Sequence, residues 1–269
     1  MKNRIVISLA NEHQRRQHID TLFEEYELDF GYFDAINKQQ AADILAKYNL
    51  SVTNAQLSAG EVACYLSHYC LWQQVVEQQL PYLMVFEDDI YFSKSATAVL
   101  SNLDWLPSNF DVIKLETMYE RVLINKGVRL ILGHALCQMQ SRHMGMAGYI
   151  ISLQGAKKLL AMIKAVGIDS PVDHIMFDRL IGQKSSSVHQ VFPALCIQDK
   201  IYNKGSVRFE SVLEGTRKGS EVAKQKKSGF EKMNKELLRV FEQLSPKNMY
   251  YTGWLIMKGY KKRIIDYKE

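Results

Sequence analysis

Apolar residues follow two rhythms along this chain. Short β-branched runs bounded by polar residues alternate with longer stretches in which apolar side chains return every three or four positions. "RIVISLA", from Arg4, predicts a buried strand. Ile19, Leu22, Phe23 and Tyr26 then share a helical stripe, "LDFGYFDAI" predicts a second strand and "QQAADILAKY" a second helix. Between Ser58 and Gln79, the residues Val62, Tyr65, Leu66, Tyr69, Trp72 and Val76 recur at helical spacing, and Ser58 with Glu61 makes the S-x-x-E pattern of a capping box. A strand over Tyr82–Phe86, a helix near Lys94–Leu103, the strand "DVIKLE" and a hairpin across "RVLINKGVRLILG" follow. A strand running into a helix at Gln154–Gly155 and a late strand, "HQVFPALCIQD", complete the series. This alternation predicts an α/β fold with a mixed, mostly parallel sheet flanked by helices, whose ligands bind beyond the carboxyl ends of the strands.

The pattern changes after about residue 214. Lys and Arg crowd the last fifth of the chain and mix with aromatics in "MYYTGWLIMKGYKKRIIDYK". "SGFEKMNKELLRVFEQL" predicts an amphipathic helix opened by a second capping box, Ser228 to Glu231. The expected organisation is a catalytic domain over 1–214 and a basic, aromatic-rich helical extension over 215–269. That extension either covers the sheet or faces an anionic inner membrane leaflet.

Composition narrows the classes. With 47% hydrophobic and 23% charged residues the chain reads as an ordinary globular protein, and a formal charge of +5 is too weak to argue for nucleic acid. The apolar run near the N-terminus is about six residues, shorter than the ~7–15 of a signal-peptide core, and no stretch approaches the ~20 of a membrane span. Cys64, Cys70, Cys137 and Cys196 are scattered with no C-x-x-C pair, which argues for a reducing cytoplasm and against a disulfide framework or a zinc site.

One stretch resists a purely structural reading. In "PYLMVFEDDI" a buried-looking strand runs straight into Glu87, Asp88 and Asp89. Three adjacent carboxylates repel one another and are costly to desolvate. Alternate residues of an extended chain point the same way, so Glu87 and Asp89 can converge while Asp88 faces elsewhere. A hard divalent cation, Mg²⁺ or Mn²⁺, takes such oxygens and would neutralise a leaving diphosphate. The plain rival is a solvated strand end.

"VISL…RR", "GEVACYLSHYCLW", "VFEDDI", "DVIKLE", "GYIISLQGAKKLL" and "PVDHIMFD" occur in the order seen in glycosyltransferase family 25, which the chain resembles over roughly residues 1–200. That family holds bacterial lipopolysaccharide and lipooligosaccharide sugar transferases, many of them β-galactosyltransferases. The resemblance implies a GT-A-type nucleotide-sugar-binding fold, a UDP-sugar donor (UDP-galactose foremost), Mn²⁺ or Mg²⁺, and inversion at the anomeric carbon. The implied acceptor is a lipooligosaccharide or lipopolysaccharide core, with β-1,4 linkage to glucose or N-acetylglucosamine expected.

By that resemblance Glu87 to Asp89 stand for the DxD motif, with Asp89 a metal ligand and either Glu87 or Asp88 the second ligand or a ribose contact. Ser8, Leu9 and Asn11 follow the first strand, where such folds meet the nucleotide base. Arg15 and Arg16 face the diphosphate or, on the plain reading, solvent. Asp34 accepts from uracil or ribose above an apolar Ala35-Ile36 floor. Glu61 and His68 support the donor, against the alternatives of a simple cap and a half-buried histidine, and Cys64 packs. Asp173, in "SPVDHIMFD", is the candidate general base, held in the first turn of a helix with Pro171 at its start and Ser170 as cap. Its rivals are Asp178 and Glu116. The contrasting function is a non-catalytic carbohydrate- or nucleotide-binding module of a glycan-assembly complex. A nucleotidyltransferase would need a Gly-rich phosphate loop that the sequence lacks.

Overall fold

In the computed structural model, which describes residues 2–204, 208–209 and 253–269, an eight-stranded sheet forms the centre. Its strands are β1 (Arg4–Ser8), β2 (Gly31–Asp34), β3 (Tyr82–Glu87), β5 (Val112–Lys114), β8 (Val128–Arg129), β9 (Ala135–Gln138), β10 (Gly148–Ser152) and β11 (Val188–Phe192). The order is β2-β1-β3-β10-β5-β11-β9-β8, in which β10 and β9 run against the others. A small sheet lies beside it, ordered β4 (Ile90–Phe92), β12 (Cys196–Gln198) and β6 (Glu116–Thr117).

Strand parity sorts the core into two faces. Ile5 and Ile7 of β1, Leu83 and Val85 of β3, and Tyr149 and Ile151 of β10 join one apolar cluster. Val6, Met84, Phe86 and Ile150 join the other. The first face is covered by α2 (Ala41–Lys47), α3 (Ala59–Glu77) and α5 (Leu153–Val166), the second by α1 (His13–Glu25) and α4 (Ala96–Ser101). Central strands buried on both sides need continuous apolar runs rather than alternation, as "RIVIS" and "YLMVF" supply.

The expected capping box is present: Ser58 Oγ accepts from the Glu61 N–H at 3.2 Å, and the Glu61 carboxylate accepts from the Ser58 N–H at 2.9 Å. Ser152 caps α5 by accepting from the Gly155 N–H at 3.0 Å. A Cβ on Gly155 would lie 2.1 Å from the Asp111 carbonyl oxygen, so only glycine lets α5 seat against the backbone before β5.

Four expectations change. "RVLINKGVRLILG" is not a hairpin: β7 (Arg121–Ile124) pairs with β13 (Lys261–Ile264) from the far end of the chain, while β8 pairs with β9. The competing partner wins because Thr117 Oγ1 and the neighbouring backbone dock residues 264–266, burying Ile265 completely. "HQVFPALCIQD" divides into β11 and β12, since Pro193 has no N–H to continue a ladder. Pro171, not Ser170, borders the helical turn α6 (Val172–His174), because the Ser170 hydroxyl donates to Asp169 instead. The final described residues, expected to be helical, hold one helical turn followed by β13. The helix expected from Ser228 lies outside the described residues.

Replacing Gly155 by Ala should destabilise the protein by about 1–3 kcal/mol through overpacking against a rigid backbone atom. The urea unfolding midpoint reads this directly; an unchanged midpoint would mean that α5 slides freely.

Candidate active site

The chain forms β1, adds β2 on one side and β3 on the other, so strand order reverses between β1 and β3. Such a switch point leaves a crevice at the carboxyl ends, where open α/β sheets bind ligands. A cavity of about 370 Å³ lies there, lined by Ser8 and Leu9 at the end of β1, Ala35 and Ile36 after β2, Cys64 and His68 of α3, and Glu87, Asp88 and Asp89 at the end of β3 and in the turn beyond it. Arg15, Lys38, Gln198, Lys200 and Phe209 complete much of its wall.

The end of β3 and the turn after it decide what balances each carboxylate. Asp88, the first residue of the turn after β3, meets α1, where Arg15 donates to it at 2.5 Å and stands 3.9 Å from Asp89. Glu87 continues the Val85 side and faces α3, with His68 Nε2 3.8 Å from its Oε1. The same turn brings Asp89 beside Glu87: the Gln198 amide donates to Glu87 at 2.7 Å and leans on Asp89 at 3.4 Å, so the two carboxylates converge on one point. Burial and the neighbouring Glu87 push the Asp89 carboxyl well above the ordinary range. Burial acts upward on Glu87 too, but His68, Lys200 and Arg15 outweigh it and hold this group low. One proton-hungry and one ionised carboxylate, side by side and open to a cavity, fit a hard divalent cation, whose charge would favour ionisation of both.

His68 is held from behind. Its Nδ1 is 2.9 Å from the Tyr149 hydroxyl, which also receives the Trp72 indole N–H at 3.1 Å. All three side chains are almost fully enclosed.

Farther along the same edge, fully buried Lys114 donates to Glu116 at 3.0 Å, to the Met144 carbonyl at 3.0 Å and to the Gly145 carbonyl at 2.5 Å, and lies over the Phe177 ring. Every ammonium proton is thereby spent. The Gly145 N–H donates to Asp173 at 3.2 Å. His143, pushed down to about 3 by burial and Lys114, is neutral; its Nδ1 meets Gln190 and its Nε2 accepts from the Met118 N–H. These bonds anchor the loop leading into β10.

The sequence-predicted residues divide. Ser8, Leu9, His68, Glu87, Asp88 and Asp89 share the cavity. Arg16 and Asp34 do not reach its lining, because they bond to each other at 2.5 Å and Arg16 also holds the Ser8 and Leu9 carbonyls, tying the ends of β1 and β2 together. Asn11 is exposed in the turn before α1, and the Glu61 carboxylate is drawn into its cap. Glu116 is fully enclosed, accepting from Lys114 and the Ala147 N–H, which removes it from contact with an acceptor. Asp173 sits outside the cavity wall, beside Gly145. Sequence reasoning missed Gln198 and Lys200, which arrive from a strand end some 110 residues downstream of the carboxylates with no local pattern to announce them.

The chain folds as a mixed, mostly parallel α/β sheet flanked by helices with a carboxylate-edged cavity at its switch point, which agrees with the GT-A-type nucleotide-sugar-binding fold that the family resemblance implies. The chain belongs to glycosyltransferase family 25 (LPS biosynthesis protein), whose profile matches residues 1–176. Its relatives include the lacto-N-neotetraose biosynthesis glycosyltransferase LgtE of Neisseria meningitidis, 32% identical, with 98% of this chain and 99% of that protein covered. LgtB of the same organism is 35% identical over 74% of this chain and 76% of its own length. The lipooligosaccharide biosynthesis protein lic2B of Haemophilus influenzae is 30% identical over 83% and 86%. The protein is therefore a glycosyltransferase of a lipopolysaccharide-biosynthesis family, which implies a nucleotide-sugar donor and an oligosaccharide acceptor.

Changing Arg15 to Met should cost about 1–3 kcal/mol at neutral pH, less than the ~3–5 of a fully buried pair because both groups keep some solvent. A carboxyl whose proton affinity rises on folding destabilises the fold above its pKa, and the deficit closes as pH falls through that value. Protonation of the cluster removes the charge that Arg15 balances, so unfolding midpoints of the variant and the parent should approach each other as the pH is lowered. A constant gap would show that Arg15 does not balance the cluster.

Proposed function

We propose that this glycosyltransferase moves galactose from UDP-galactose to a lipooligosaccharide core sugar with inversion, in a reaction that requires Mn²⁺ or Mg²⁺. The observation that carries the reading is the convergence of Glu87 and Asp89 at the mouth of the switch-point cavity, with Asp88 already neutralised by Arg15. In this reading Ser8, Leu9, Ala35 and Ile36 receive the uridine, and Lys38 and Lys200 supply positive charge near the diphosphate. A divalent ion held by Glu87 and Asp89 would offset the charge of the departing diphosphate. The acceptor hydroxyl attacks the anomeric carbon from the face opposite the phosphate, its oxygen forms the new glycosidic bond, and the carbon–phosphate oxygen bond breaks with its electron pair leaving on UDP. Asp173 takes the hydroxyl proton; its bond to the Gly145 N–H orients the carboxylate and leaves acceptor capacity for it. The relatives' names, lacto-N-neotetraose and lipooligosaccharide biosynthesis, support an oligosaccharide acceptor, and family resemblance supports galactose and a β-1,4 linkage.

A lipid-linked acceptor makes a peripheral position on the inner membrane sensible. Lys258, Lys261, Lys262 and Arg263 are exposed beside exposed Trp254, Ile256 and Met257, whereas Tyr260 and Tyr267 pack onto the domain through hydrogen bonds to Gln138 and the Phe92 carbonyl. Co-sedimentation with anionic vesicles should weaken when the three cations of β13 become Gln, and equal binding would end this part of the proposal.

Release of the sugar from UDP-galactose, UDP-glucose, UDP-N-acetylglucosamine and UDP-N-acetylgalactosamine, with and without Mn²⁺, should be greatest for UDP-galactose and vanish in chelator. Failure of metal to stimulate any donor would remove the mechanism. Asp173→Asn should lower transfer by about 10²–10⁴-fold while UDP binding stays within about twofold; near-parental turnover would eliminate Asp173 as base.

A further inference from the structure

α3 presents Cys64 and His68 one turn apart, on the side that meets the end of β3. There one ligand atom each from Cys64, His68 and Glu87 lies within 4.8 Å of the other two. His68 is 1% exposed, and its Nε2 is enclosed with no hydrogen-bond partner; the Glu87 oxygen, at 3.8 Å, is beyond hydrogen-bonding range. An imidazole nitrogen left bare in an enclosed position is costly unless something occupies the gap. From the other side the Tyr149 hydroxyl grips Nδ1, and it keeps a lone pair for a Nδ1–H because Trp72 fills only one. With Nδ1–H given to Tyr149, an ion entering here would meet the Nε2 lone pair on the side of Cys64 and Glu87, in the way that a second hydrogen bond commonly orients a metal-bound histidine.

We propose that Cys64, His68 and Glu87 form a binding site for a borderline-soft divalent ion such as Zn²⁺, with its fourth position open to the cavity. Thiolate, imidazole and carboxylate are the donors such an ion prefers, whereas Mn²⁺ and Mg²⁺ favour the all-oxygen pair of Glu87 and Asp89. In a tetrahedral zinc shell neighbouring donor atoms stand about 3.3–3.6 Å apart, so the 3.8 Å between His68 and Glu87 needs only a small contraction. The spacing, a Cys and a His one helical turn apart with the third ligand on a distant strand, is invisible to a search for paired cysteines. All three residues line the cavity, so an ion could enter without unfolding. The two sites share Glu87, so a zinc ion would withdraw it from Asp89 and inhibit transfer. That consequence rests on the function proposed above; the binding itself does not.

Cobalt(II) titrated into the full, nucleotide-free protein tests the binding, because thiolate-bound Co²⁺ absorbs in the near ultraviolet and four-coordinate Co²⁺ absorbs strongly in the visible. The parent protein should show both bands and lose them when Zn²⁺ is added. Cys64→Ser should abolish the thiolate band and weaken Zn²⁺ binding at least tenfold, while Asp89→Asn keeps the band. Absence of a thiolate band in the parent, its survival in Cys64→Ser, or its loss in Asp89→Asn with retention in Cys64→Ser would each overturn the proposal. A second reading needs no variant: Zn²⁺ should slow alkylation of Cys64, located by peptide mass, and equal rates with and without Zn²⁺ would also overturn it. Either result stands whether or not any UDP-sugar proves to be a donor.

Discussion

Three carboxylates at the end of a buried strand have to be compensated, and the rest of the site follows from how this chain does so. The answers differ because β3 ends at Glu87 and the turn that follows carries Asp88 and Asp89. Asp88 falls to the α1 side and takes Arg15, while Glu87 and Asp89 fall to the α3 side and share the Gln198 amide. Arginine satisfies one charge outright; an amide donates hydrogen bonds to the other two without cancelling them. What remains is a local excess of negative charge at the mouth of a cavity, placed where strand order reverses. Negative potential focused in a concave, partly dehydrated spot attracts cations and any ligand that travels with one.

The same edge carries a second, closed system. Lys114 and Glu116 neutralise each other in full enclosure, and the lysine spends its remaining protons on two carbonyls of the 144–145 turn. An interior ion pair of this kind adds little net stability, but it specifies geometry. Here it fixes the backbone whose next N–H steadies Asp173. The open carboxylates attract, and the enclosed pair positions.

Much of this was legible beforehand. Runs such as "RIVIS" and the stripe on α3 report burial directly, whereas strand alternation stops at Glu87, and the turn that places Asp88 and Asp89 follows no such period. Ser58 and Glu61 read correctly because a capping box is a local device. Pairings that depend on distant segments were not legible. β7 looked like half of a hairpin since nothing near it names β13 as a rival, and Gln198 gave no sign of meeting Glu87. Arg16 and Asp34 looked like donor contacts because their chemistry suits phosphate and ribose, yet each suits the other equally well at closer range. Single charged residues carry no address; only periodic patterns do.

The pairing of β7 with β13 has a consequence for how the molecule is made. Ala194 donates to the Asp266 carbonyl and Thr117 to that of Ile265, so the stretch following Glu116 is completed by residues translated about 150 positions later. Until the ribosome has released that segment, the flank next to the enclosed lysine–glutamate pair stays unfinished, although the cavity between β1 and β3 can already close. The part of the fold that holds this cavity can therefore mature during synthesis, and the flank beyond it must wait for residues 261–266.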